Sequence, residues 1–167
     1  MFTGFGGKTT PASTKMYDEF ILELNDGGIV KFLQEYPVLA RAVSTVTTYW
    51  VKNSTTFITN LNNDITKIED TFNKSKKIGK VKSIKAGLSD PHNSGKSVFS
   101  IMFETNIKVI YKPKEMILED EYYKFIQWLN SKSTMKLKVL KVIDCKDYGW
   151  VEFVETKSLQ NKREAQG

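Results

Sequence analysis

The stretch "LSDPHNSGKSV", Leu88 to Val98, holds the chain's only histidine, His92, with Asp90 two residues before it, Pro91 between them and Gly95–Lys96 near its end. Acid, imidazole and ammonium side chains gathered in so short a span have the makings of a site that meets a ligand. They also have a plainer reading. Asp-Pro, Asn-Ser and Gly are turn formers, and "IGKVKSIKAGL" before the stretch and "SVFSIMFET" after it alternate apolar and polar residues as strands do. Taken alone, these residues favour a hairpin connection in which Asp90 caps local amides and His92 is merely exposed. The other nucleophile and metal-ligand types add little. One cysteine, Cys145, excludes an intramolecular disulfide, and one cysteine with one histidine does not make a zinc site. No metal ligands are assigned, and Cys145, without a catalytic companion, reads as a packing residue.

The elements that must position this turn are legible in outline. From Lys15 to about Phe72 the pattern is helical. "MYDEFILELN" sets Tyr17, Phe20, Ile21 and Leu24 on one face before Gly27 and Gly28 stop it, and "IVKFLQEY" is a second short helix halted by Pro37. A long third segment carries Leu39, Val43, Val46, Trp50, Phe57, Leu61, Ile65, Ile68 and Phe72 at near-helical spacing, with a possible break at "KNST". After the polar linker "NKSKKIGK" come five runs rich in Val, Ile and aromatics, namely "KVKSIKAGL", "SVFSIMFET", "IKVIYK", "KLKVLKVI" and "YGWVEFV". Between the third and fourth, "KEMILEDEYYKFIQWLNSK" reads as an amphipathic helix over about 116–131, with Leu118, Tyr122, Phe125 and Leu129 toward the sheet. Three strands, a helix and two strands is the order of a protein-kinase small lobe. There a loop between the first two strands covers the nucleotide phosphates, a lysine on the third strand contacts them and a helical acid can orient that lysine. Lys112, in "KVIYKP", ends the third run, and Glu119 or Glu121 is within a helix's reach of it. The kinase glycine loop is replaced here by a turn with one glycine, Gly95.

Together "EYPVLARAVSTVTTYW", "GLSDPHNSGKSVFSIMFETNIKVIYKPKEMILEDEYYKFIQWLN" and "LKVLKVIDCKDYGWVEFVE" resemble the N-terminal part of the dehydratase region of class II lanthipeptide synthetases, the LanM proteins, from about Tyr17 to Glu155. The resemblance implies an enzyme that uses ATP and magnesium to phosphorylate Ser or Thr of a precursor peptide. Elimination of the phosphate then leaves dehydroalanine or dehydrobutyrine. Zinc would belong only to a separate cyclase domain. Asp90, His92 and Lys112 match the family's acid, histidine and lysine and are carried over as the catalytic residues, with Lys112 and His92 also contacting the nucleotide. The lysine would hold phosphate charge, while the histidine, oriented by Asp90, would contact phosphate or shuttle a proton.

The matching region stops where a large lobe would begin: after "DYGWVEFVE" come only the residues "TKSLQNKREAQG", without a catalytic-loop pattern or magnesium acids. The expectation is therefore a fragment, split subunit or remnant, inactive alone. It would be an α+β chain with a flexible tail at 1–14, a helical section at 15–75, a five-stranded antiparallel sheet with one helix at 76–155, and a truncated hinge or tail at 156–167. The implied partners are a precursor peptide and the remainder of a synthetase. The rival from another class is a noncatalytic module that binds a peptide or partner. Twenty-five Lys and Arg against nineteen Asp and Glu give a net charge of +6, but the lysines are scattered and form no known nucleic-acid motif. With no run near the ~20 apolar residues of a membrane span and no signal peptide, the expected place is the cytoplasm.

Overall fold

The computed structural model describes residues 11–134 and 136–155, with side chains from Thr14 onward. The anticipated tails lie outside the described residues, except from Pro11, where helix α1 (Pro11–Glu23) begins. The chain divides into two compact units, Met1–Thr48 and Tyr49–Gly167.

In the first unit α1 runs into a π-type turn, Leu24–Gly28, in which Asp26 and Gly27 leave helical geometry. Gly27 takes a φ of +87°, a conformation open to glycine at little cost. Helix α2 (Ile29–Glu35) stops at Tyr36, the residue before a proline, where the helical conformation is disfavoured. Pro37 then opens helix α3 (Pro37–Asn73), a position where its missing N–H costs nothing. No described residue of this unit is buried; Phe20, Phe32, Leu39 and Val43 are all exposed.

The break suggested at "KNST" does not occur, because α3 continues without interruption to Asn73. From Tyr49 onward it belongs to the second unit and covers one face of a five-stranded antiparallel sheet of order β1-β2-β3-β5-β4. The strands are β1 (Val81–Lys85), β2 (Phe99–Phe103), β3 (Lys108–Lys112), β4 (Val142–Asp144) and β5 (Gly149–Glu152), with helix α4 (Ile117–Lys132) between β3 and β4. This is the α+β arrangement, in the chain order, that the sequence suggests. Alternate residues of the central strands, Ile101 and Phe103, Val109 and Tyr111, join Trp150 in a core with Phe57 and Ile68 of α3. Phe57 is its hub, edge-on to Phe99 at 4.7 Å and to Tyr111 at 5.1 Å. No described helix is long and apolar enough to cross a membrane.

Helix α4 corrects its expected orientation. Leu118, Tyr122 and Phe125 are exposed, Leu118 at 83%, and the buried residue of the helix is Ile126 at 4%. Tyr123 and Leu129 are half-buried. The periodicity misled because Ile117, Leu118, Tyr122, Tyr123, Phe125, Ile126, Trp128 and Leu129 put apolar groups almost all round the helix, so spacing alone does not select a face. Ile126→Ala should cost ~2–5 kcal/mol. Leu118→Ala should stay within about 0.5 kcal/mol. Urea denaturation midpoints of the two variants check the assignment, and the reverse ranking would restore the original face.

Candidate functional site

The turn between β1 and β2 closes as a pinned hairpin tip. Leu88 N–H donates to Val98 O at 3.2 Å and Val98 N–H to Ser89 Oγ at 3.2 Å. Farther out, His92 and Lys96 exchange both backbone hydrogen bonds, at 2.9 and 2.8 Å. Between them Asn93, Ser94 and Gly95 all have positive φ, 43°, 66° and 77°, so three consecutive left-handed residues reverse the chain. Asn93 and Gly95 are types that accept such geometry readily. The tip is tied to α3, where Asn53 Nδ2 donates to Ser94 O at 2.9 Å. A Cβ at Gly95 would lie 3.3 Å from Tyr49 Cβ, so the tip also sits close against the helix.

Lys112 ends β3 opposite Gly149 of β5 and is half-buried. Its Nζ lies 3.7 Å from Glu119 Oε1 in the first turn of α4, and Lys114 Nζ reaches the same oxygen at 2.6 Å. Burial works to raise the Glu119 pKa, but the Lys114 hydrogen bond and the charges of Lys114 and Lys112 outweigh it and hold the carboxyl below its ordinary range. Of the two acids within reach, Glu119 is the one that meets Lys112, while Glu121 pairs with Lys124 at 2.8 Å.

A cleft of about 280 Å³ opens where the turn meets the end of β3, lined by Ser89, His92, Lys96, Lys112, Pro113 and Lys114 among others. His92 and Lys112 thus share one cavity. Asp90 is exposed, is not among the lining residues, and makes no hydrogen bond or ion pair among the described residues. Three lysines and a histidine are among the residues that border this cleft, although the surface it exposes is mostly apolar. Among the described residues, no group of three or more His, Cys, Asp or Glu side chains is placed to hold a metal ion.

A buried carboxylate was missed by the sequence reading. Asp64 of α3 is 2% exposed. Its Oδ2 accepts from Tyr148 Oη at 2.7 Å, Trp150 Nε1 at 3.0 Å and Cys145 Sγ at 3.4 Å, and its Oδ1 from Lys67 Nζ at 2.8 Å. Burial pushes its pKa up, yet the four donors together bring it below the usual aspartate value. Burial and the adjacent Asp64 charge push the Cys145 thiol up, which leaves it a poor nucleophile. The signal was available: Asp64 falls on the apolar stripe of Phe57, Leu61, Ile68 and Phe72, where an acid needs partners.

These features define an α+β domain with a pinned loop, a strand-end lysine and a helical acid at one sheet end. The chain belongs to the family described as "Domain of unknown function (DUF4135)", whose pattern matches residues 36–167. It is a domain found in lanthipeptide synthetase-type proteins. No curated protein matches the chain.

Proposed function

We propose that the chain is the phosphate-holding small lobe of a lanthipeptide dehydratase. The observation that carries this reading is the cleft shared by His92 and Lys112, with Glu119 of α4 beside the lysine. ATP, as substrate, would supply the γ-phosphoryl group. That group would pass to a Ser or Thr hydroxyl of a precursor peptide, and loss of the Cα proton with breakage of the Cβ–O bond would then release phosphate and form the alkene. In this scheme Lys112 neutralises phosphate charge and Glu119 fixes the ammonium in the cleft. His92 contacts phosphate or carries a proton, with its backbone locked to Lys96. Asp90 is retained as an acid near His92 in sequence, available to orient it once a ligand occupies the cleft. Magnesium ligands would come from outside the described residues.

The single histidine offers a test, because its imidazole gives one set of proton signals. ATP titrated into the chain should shift those signals saturably, and Lys112→Met should weaken the response about tenfold, the loss expected for one charge-assisted contact. A flat titration, or one unchanged by Lys112→Met, would overturn the reading. A second reading, a noncatalytic module for a peptide or partner, draws on the exposed Leu118, Tyr122, Phe125 and Trp128 of α4. It gains if ATP leaves the histidine signals unmoved.

A further inference from the structure

We infer that Lys96 is a second phosphate contact in the cleft, set apart from Lys112 so that the pair recognises a polyphosphate chain rather than a single phosphate. This rests on the proposed phosphate-holding role and adds a residue to it. Three lysines line the cleft, Lys96, Lys112 and Lys114. Lys112 and Lys114 share one carboxylate, Glu119, whereas Lys96 makes no ion pair or side-chain hydrogen bond among the described residues. Three positive charges against that one negative charge leave two in excess, and the ammonium with no acid to leave before meeting an anion is Lys96.

Its placement is built into the turn. The two backbone bonds with His92 fix the Lys96 backbone across the hairpin, and the Asn53 bond to Ser94 O holds the tip. Lys112 comes from a different element, the end of β3, so the two residues border the cleft from separate parts of the chain. A lysine presented by an ordered turn loses less freedom on binding than one on a mobile loop. The competing use of Lys96 is a second cavity of about 230 Å³ on the α3 side, which it lines together with Lys52 and Asp147. There the Asp147 carboxylate would compete with an anion.

The test compares inorganic tripolyphosphate with inorganic monophosphate by calorimetry on the chain and on Lys96→Met, Lys96→Arg, Lys112→Met and Lys52→Met. Tripolyphosphate affinity should fall about tenfold in Lys96→Met and in Lys112→Met. Lys96→Arg should keep most of it, and Lys52→Met should match the parent. The preference for tripolyphosphate over monophosphate should collapse in Lys96→Met. If only Lys112→Met weakens binding, the Lys96 inference is wrong while the phosphate-holding role stands. Equal losses in Lys96→Met and Lys52→Met would reduce the effect to general surface charge and overturn it. Failure of the parent chain to bind either anion would remove the functional reading itself. Lys96 and Lys52 are exposed, so unchanged thermal melting in these variants separates lost binding from lost fold.

Discussion

Asp64→Ala should cost about 3–5 kcal/mol of stability, the loss that follows when one partner of a buried charged network is removed. The carboxylate joins α3 to the β4–β5 hairpin through Tyr148, Trp150 and Cys145, and truncation would leave the fully buried Trp150 Nε1–H and the Tyr148 hydroxyl without their acceptor. Asp64→Asn, which keeps one acceptor oxygen, should lose less. The pH dependence has a definite sign. The Asp64 carboxyl is held below its ordinary value in the folded chain, so its contribution is complete above the unfolded value of about 3.9 and is lost as pH falls through the folded value. Glu69 and Glu119 shift the same way, Glu69 mainly through the Lys77 hydrogen bond, so the folded chain should weaken steadily below about pH 4. Denaturant midpoints from pH 7 to pH 3 read this directly. A flat profile for the parent, or an Asp64→Ala variant as stable as the parent, would show that the network contributes nothing.

The strand order was legible because β-branched and aromatic runs separated by turn residues leave few alternatives, and the runs are short enough that helices do not compete. Strand β4 is shorter than "KLKVLKVI" suggests, because β5 offers partners only to Val142, Ile143 and Asp144. The division between the two units falls at Thr48–Tyr49 inside an uninterrupted helix, where neither composition nor turn chemistry changes. The loop and Lys112 were readable as a possible site, since a lysine at the end of the third strand and a turn between the first two lie at the same end of an antiparallel sheet. Lys96 and Lys114 were not, because nothing in spacing tells which of many exposed lysines borders the cleft. Gly149 gains its reason only from packing. A Cβ there would lie 2.6 Å from Ile143 O and run into the Met116 side chain, so the strand partner of Lys112 must be glycine for β4, β5 and the start of α4 to close together.

Lys112→Met should lower phosphorylation of a Ser/Thr-containing precursor by ~100-fold or more once this chain is assayed with a large lobe that supplies magnesium ligands, while melting of the chain stays close to the parent. The ammonium is half-buried at the sheet end and shares Glu119 with Lys114, so its loss frees the carboxylate to the second lysine rather than stranding it. Stability is therefore largely spared. Phosphoryl transfer is not, because the transferring group needs positive charge fixed in place as the reaction proceeds, and Lys114, on a more exposed side chain beyond Pro113, cannot substitute from the strand position opposite Gly149. Glu119→Gln should give a smaller loss by releasing Lys112 to wander. Mass spectrometry separates the two steps, since added phosphate reports transfer and lost water reports the completed elimination. A His92→Ala variant that accumulates phosphorylated peptide would place the imidazole in elimination, and one that forms none would place it in transfer. If Lys112→Met instead left both products at parental levels, the strand-end lysine would have no part in catalysis and the cleft would have to be read as a binding surface.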